Sequence, residues 1–119
     1  MTREEFINNN VLIAKFMGWR LDYSFPDKGR VYRSPQNYVE LDTTLKFNYD
    51  WNWLMSVVEK IKEDPNVDIT IYNNSCKINI SEDNKFKVSI FKMGSTKESV
   101  WFAIVEYINK YVNENIKEN

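Results

Sequence analysis

No histidine occurs in the 119 residues, only one cysteine is present, and there is no glycine-rich phosphate loop. Histidine is the usual proton carrier near neutral pH and the commonest metal ligand. Its absence excludes serine–histidine and cysteine–histidine nucleophilic sites and the usual zinc centres. Carboxylate, lysine and tyrosine chemistry remain, yet no two carboxylates are spaced as an acid–base pair or converge as an oxygen-ligand metal site. The expectation is a protein without catalysis, metal or cofactor. Cys76 cannot form an internal disulfide, which fits the reducing cytoplasm, and its strand-like neighbours mark it as a buried apolar thiol. The opening Met1-Thr2-Arg3-Glu4-Glu5 lacks the apolar run of a signal peptide. No stretch approaches the roughly 20 apolar residues of a membrane span. A cytoplasmic location away from membranes is expected. A net charge of −1 argues against a dedicated DNA-coating protein, which needs a broad basic field, and leaves room for a local basic face.

Aromatic side chains, by contrast, make up 15% of the chain. Residues of this kind carry large burial energies and are enriched in binding surfaces. Leu12, Ile13, Phe16 and Met17 recur at helical spacing and predict a helix within 1–18. Thr2 with Glu5 offers a capping box, Asn8-Asn9-Asn10 a later cap, and Gly18 a left-handed stop. From 19 to 47 the pattern is irregular, with short extended pieces near 30–33 and 38–41 between Pro26, Gly29 and Pro35. Trp51, Leu54, Val57, Val58 and Ile61 form the stripe of a second helix, capped by Asn48 or Asp50 and stopped at Asp64-Pro65. Trp51 and Trp53 sit roughly 200° apart around its axis. Alternation then marks three strands. Val67, Ile69 and Ile71 line the first; Cys76, Ile78 and Ile80 the second; Phe86, Val88 and Ile90 the third. Asn73-Asn74 and Glu82-Asp83-Asn84 are the turns. Ser95 and Glu98 open a last helix with two apolar stripes, one from Val100 to Tyr111 and one from Trp101 to Val112. The tail at 113–119 is polar and expected to fray.

The expected fold is one α+β domain over 1–119. Its order is helix, irregular segment with short strands, helix, three strands, helix, covering 48–112 from the second helix on. It has a three- or four-stranded antiparallel sheet with helices packed on one face.

Two groups of residues suggest binding. Between 19 and 38, Arg20, Lys28, Arg30 and Arg33 lie among aromatics and are opposed by Asp22 and Asp27 alone. Arginines of this kind pair with phosphates while aromatic rings stack on bases. Trp19, Arg20, Arg30, Tyr32 and Arg33 are the expected ligand-binding set for a small nucleotide, against the plainer reading of a solvated loop anchored by its aromatics. Lys77, Lys85 and Lys87 on the polar sheet face, with Lys97 at the last helix start, would serve nucleic acid in the alternative reading. The surplus apolar surface at Trp53, Trp101 and Val105 suggests a homodimer interface.

Three blocks carry a resemblance: 12–19 (LIAKFMGW), 47–61 (FNYDWNWLMSVVEKI) and 95–100 (STKESV). In the same order and over about half of the chain, they resemble small bacteriophage and prophage proteins, including the phage ABA-sandwich type. The resemblance implies a phage accessory protein without assigned chemistry. It would act by occupying a host protein or by sequestering a nucleotide signal used in defence. The order helix, three strands, helix from 50 to 112 also resembles the double-stranded-RNA-binding domain. Gly94-Ser95-Thr96-Lys97-Glu98 lies where that family's phosphate-gripping helix begins, with Lys97 the one lysine of its cluster.

Overall fold

Helix α1 (Arg3–Phe16) opens the computed structural model, which describes residues 1–82 and 85–112; the side chains of 85–87 lie outside that description. The Thr2 hydroxyl accepts the Glu5 N–H at 3.1 Å, so the earlier of the two expected caps starts the helix. Asn10 sits inside it, nearly buried, and donates its amide to the Leu45 carbonyl at 3.2 Å. The helix stops where Gly18 turns left-handed, at φ 90°. Its N–H donates to Lys15 O while Trp19 N–H reaches back to Ala14 O, the paired bonds of a Schellman motif.

The segment after Gly18, expected to be irregular with short extended pieces, builds a sheet of its own. Strands β1 (Arg20–Leu21), β2 (Val31–Arg33) and β3 (Val39–Leu41) pair antiparallel in that order. The β2–β3 turn follows from Ser34-Pro35-Gln36-Asn37. Pro35 presets the first turn residue, Asn37 N–H closes on Ser34 O, and Asn37 adopts φ 71°, a conformation asparagine tolerates. Residues Met1–Phe47 form one compact unit and Asn48–Asn119 a second.

In the second unit Asp50 caps α2 (Trp51–Lys62) by accepting the Asn52 and Trp53 N–H groups. Leu54, Val57, Val58 and Ile61 are buried as one stripe, while Trp51 lies exposed and Trp53 half-buried. Strands β4 (Val67–Ile71), β5 (Ser75–Glu82) and β6 (Lys85–Met93) pair antiparallel in chain order, with β5 central. The register sets Ile69, Ile78 and Ile90 in one row and Thr70, Lys77 and Phe91 in the next. Cys76, Ile78 and Ile80 are wholly buried. Helix α3 (Thr96–Tyr107) packs on β5 and β6, and α2 packs on β4 and α3, so both helices cover one face of this sheet. A register shift interrupts the ladder between Ile80 and Ser81. The Glu82-Asp83-Asn84 turn and the 113–119 tail fall largely or wholly outside the described residues. The fold is α+β, as expected, with two three-stranded antiparallel sheets in place of one.

Helix α3 begins at Ser95, whose hydroxyl accepts the Glu98 N–H, and the Thr96 hydroxyl donates to the Asn73 carbonyl in the β4–β5 turn. Both of its apolar stripes are buried within one chain: Trp101 is 1% exposed and Val105 8%. A helix apolar all round is one covered all round. This corrects Trp101 and Val105 as interface residues, because neither has surface to offer a second copy, while Trp53 is half-buried. Past α3 the backbone widens into a π-helix, Ile108–Val112, where Tyr107 and Tyr111 stack at 5.7 Å.

Gly18 is the position where side-chain chemistry is most constrained by backbone. A Cβ there would be held at φ 90° and would approach Pro35 Cγ to 3.2 Å. Gly18→Ala is expected to lower unfolding free energy by about 1–2 kcal/mol, the cost of a left-handed L-residue. Urea unfolding checks this; an unchanged midpoint contradicts it.

Candidate functional site

The first sheet carries the candidate site. A cleft of about 510 Å³ opens between β1, the following Asp22-Tyr23 and the turn after β2. Antiparallel pairing sets Arg20 directly across from Arg33, so both side chains stand on one face of the ladder. Asp22 follows β1, and its N–H continues the ladder to Val31 O at 2.8 Å. Its carboxylate then divides its work. Oδ1 accepts the Ser24 N–H at 2.9 Å, an Asx turn, while Oδ2 accepts Arg33 Nε at 2.7 Å and faces Arg33 Nη2 at 2.6 Å.

One carboxylate oxygen thus grips one edge of the Arg33 guanidinium. The fork has five N–H donors, and the side chain remains 40% exposed, so its remaining donors are open to a ligand. Ser34, buried, closes the base of the cleft, its hydroxyl accepting the Tyr38 N–H at 3.0 Å. Arg20 is exposed and has no ion-pair partner among the described residues. Two arginines against one aspartate leave the cleft one positive charge in excess.

Of the five residues expected to bind ligand, the structure brings together Arg20 and Arg33. Tyr32 is 1% exposed, because Val31 and Tyr32 point to opposite faces of β2 and both are covered. Burial pushes its phenol pKa up. It has no free ring face, and the stacking role expected of it is overturned. Trp19 is half-buried and meets Phe47 edge-on at 6.3 Å, outside the cleft lining. Arg30 is exposed away from the cleft, its carbonyl accepting the Asp42 N–H. The open ring in the cleft is Tyr23, 83% exposed. Asp22, which reads in the sequence only as an opposing charge, is the residue that orients Arg33. The signal was present as an Asp two residues before Ser24, an Asx-turn spacing.

The lysines of the nucleic-acid alternative do not gather. Lys77 lies between wholly buried Cys76 and Ile78, so it points away from α3, whereas Lys97 sits on α3 and reaches the Tyr49 carbonyl at 3.3 Å. The sheet separates them. The side chains of Lys85 and Lys87 fall outside the described residues. Burial raises the Cys76 thiol to about 11, which leaves it protonated and inert at neutral pH. Among the described residues no cluster could hold a metal ion and no helix is long and apolar enough to cross a membrane. Comparison with protein-family models, curated proteins and solved structures yields no match.

Hydrogen bonds from Ser24, then from Arg33, hold the Asp22 carboxyl below its usual 3.8. A carboxyl whose folded pKa lies under its unfolded value of about 3.9 contributes fully above that value, and the contribution is lost as pH falls through the folded pKa. The Asp22–Arg33 grip is therefore intact from about pH 5 upward and released in acid. Carbon NMR should find the Asp22 midpoint below 3.8. A midpoint at or above that value would contradict the assigned hydrogen bonds.

Proposed function

We propose that this chain is a small non-catalytic binding protein, of the phage accessory kind its sequence resembles, that holds a compact anionic ligand in the cleft beside β1 and β2. The observation that carries this reading is the Arg33 guanidinium, fixed along one edge by Asp22 and open along the other, with Arg20, unpaired among the described residues, directly across. An arginine immobilised before binding loses less entropy when a ligand arrives, and its planar fork matches two oxygens of a phosphate or carboxylate. The exposed Tyr23 ring beside it favours a ligand with a flat group attached to its anion, such as a nucleotide. Sequestration of such a signal in the cytoplasm is the function this supports, with occupation of a host protein through the same cleft as the wider form.

The reading separates positioning from simple charge. Neutralising Asp22 removes a negative charge beside the bound anion, which by charge alone strengthens binding. If Asp22 acts by holding Arg33, Asp22→Asn weakens binding instead. Calorimetry against inorganic phosphate, mononucleotides and cyclic nucleotides is expected to find a ligand for the unaltered protein. Arg33→Ala is expected to weaken it at least tenfold, a charge-assisted pair being worth about 1.5–3 kcal/mol, and Asp22→Asn about threefold to tenfold. Silence across the panel, or tighter binding by Asp22→Asn, overturns the reading.

A further inference from the structure

The second sheet leaves its other face open, and the side chains it shows there are not those of a plain solvated surface. Just past the end of β4, Tyr72 is 49% exposed; on β6, Phe91 is 54% and Met93 74% exposed. Lys77 on central β5 stands between them, directly opposite Phe91 and two residues along from Ser75, which accepts the Tyr72 N–H through its main-chain carbonyl. A shallow depression of about 530 Å³ lies over Tyr72, Ser75, Lys77, Ser89 and Phe91. Lys77 has no hydrogen-bond or ion-pair partner among the described residues, so the cation is available from the middle of the face.

We propose that this open face binds single-stranded nucleic acid, with bases stacked on Tyr72 and Phe91 and one of the two intervening phosphates at Lys77. The two rings stand two strands apart and two residues out of step along the strands. That is roughly 12 Å from the spacings of strands and residues, about the reach of bases separated by one nucleotide. Rings on a flat sheet accept any base face, and Ser75 and Ser89 line the same depression, the Ser89 hydroxyl already donating to Asn79 Oδ1 at 2.8 Å. A second copy of this chain fits less well, because a two-fold axis along β5 would set Lys77 against its own copy. A duplex also fits less well. It needs a broad basic field, whereas Asp68 lies in the row beyond Lys77 and Lys97 is on the far side of the sheet.

Because one phosphate is neutralised, the salt dependence is shallow and diagnostic. The slope of log K against log salt is about −0.7 for one contact to a single strand. The test is fluorescence anisotropy of labelled pyrimidine oligonucleotides about eight bases long, DNA and RNA, against the full chain at low salt. Binding is expected on the order of 100 µM, weakened about tenfold by Tyr72→Ala or Phe91→Ala and retained by Phe91→Trp. Lys77→Ala is expected to flatten the salt slope, and Arg33→Ala to leave binding unchanged, since Arg33 belongs to the other site. In the unaltered protein, amide shifts on adding the oligonucleotide should concentrate on Tyr72, Lys77 and Phe91. This last measurement does not depend on how any variant folds. The proposal is overturned by absence of binding at about 1 mM protein, by equal affinity for blunt duplex, by loss of binding in Arg33→Ala, or by shifts confined to the first sheet.

Discussion

The second unit depends on the one-sided burial of its central strand. Cys76, Ile78 and Ile80 alternate along β5 and are wholly covered by the helix side of the sheet. Successive strand residues point to opposite faces, so sealing this row commits Lys77, Asn79 and Ser81 to the other side. Register carries the commitment outward. Ile69 and Ile90 flank Ile78 on the covered face, while Thr70 and Phe91 flank Lys77 on the open one. Truncating Ile78 to Ala would remove contacts worth about 2–5 kcal/mol. The Lys92–Glu106–Lys110 ion pairs at the rim are partly exposed and contribute about 1 kcal/mol or less. Packing, and not surface charge, decides which side chains the face displays.

In the first unit polar geometry does comparable work. The ladder is short, with two residues in β1 and three each in β2 and β3. Turn chemistry holds it: Gly18 redirects the chain out of α1, the Asx turn at Asp22 leaves β1, and Asn37 closes the β2–β3 hairpin. These are also the residues that shape the cleft. Asp22 both terminates β1 and orients Arg33, so the local structure and the proposed binding geometry share one carboxylate.

Long periodic segments were legible in the sequence. The stripe of α2, the Ser95 cap of α3 and the alternation of β4, β5 and β6 lie where the spacing of apolar residues puts them. The Thr2 cap and the Gly18 stop were legible for the same reason: their chemistry is local. The first sheet was only partly visible, as two extended pieces, because strands of two or three residues are too short to show a period and depend on partners distant in sequence. For the same reason the fold brings together only two of the five residues expected to bind ligand. Arg20 and Arg33 are 13 positions apart and meet only through strand pairing, and composition alone could not tell buried Tyr32 from exposed Tyr23. The two apolar stripes of α3 suggested a missing subunit. They are instead buried within a single chain, a distinction that spacing along one helix does not contain.

A nitrogen–proton NMR titration of the full chain with a phosphate-bearing ligand identified by calorimetry tests the central claim most directly. The account predicts saturable shifts concentrated on Arg20, Asp22, Tyr23, Arg33 and the 34–38 turn, including the Arg33 Nε–H that Asp22 holds. Shifts that bypass these residues, or an Arg33 Nε–H signal that does not respond to ligand, would contradict it.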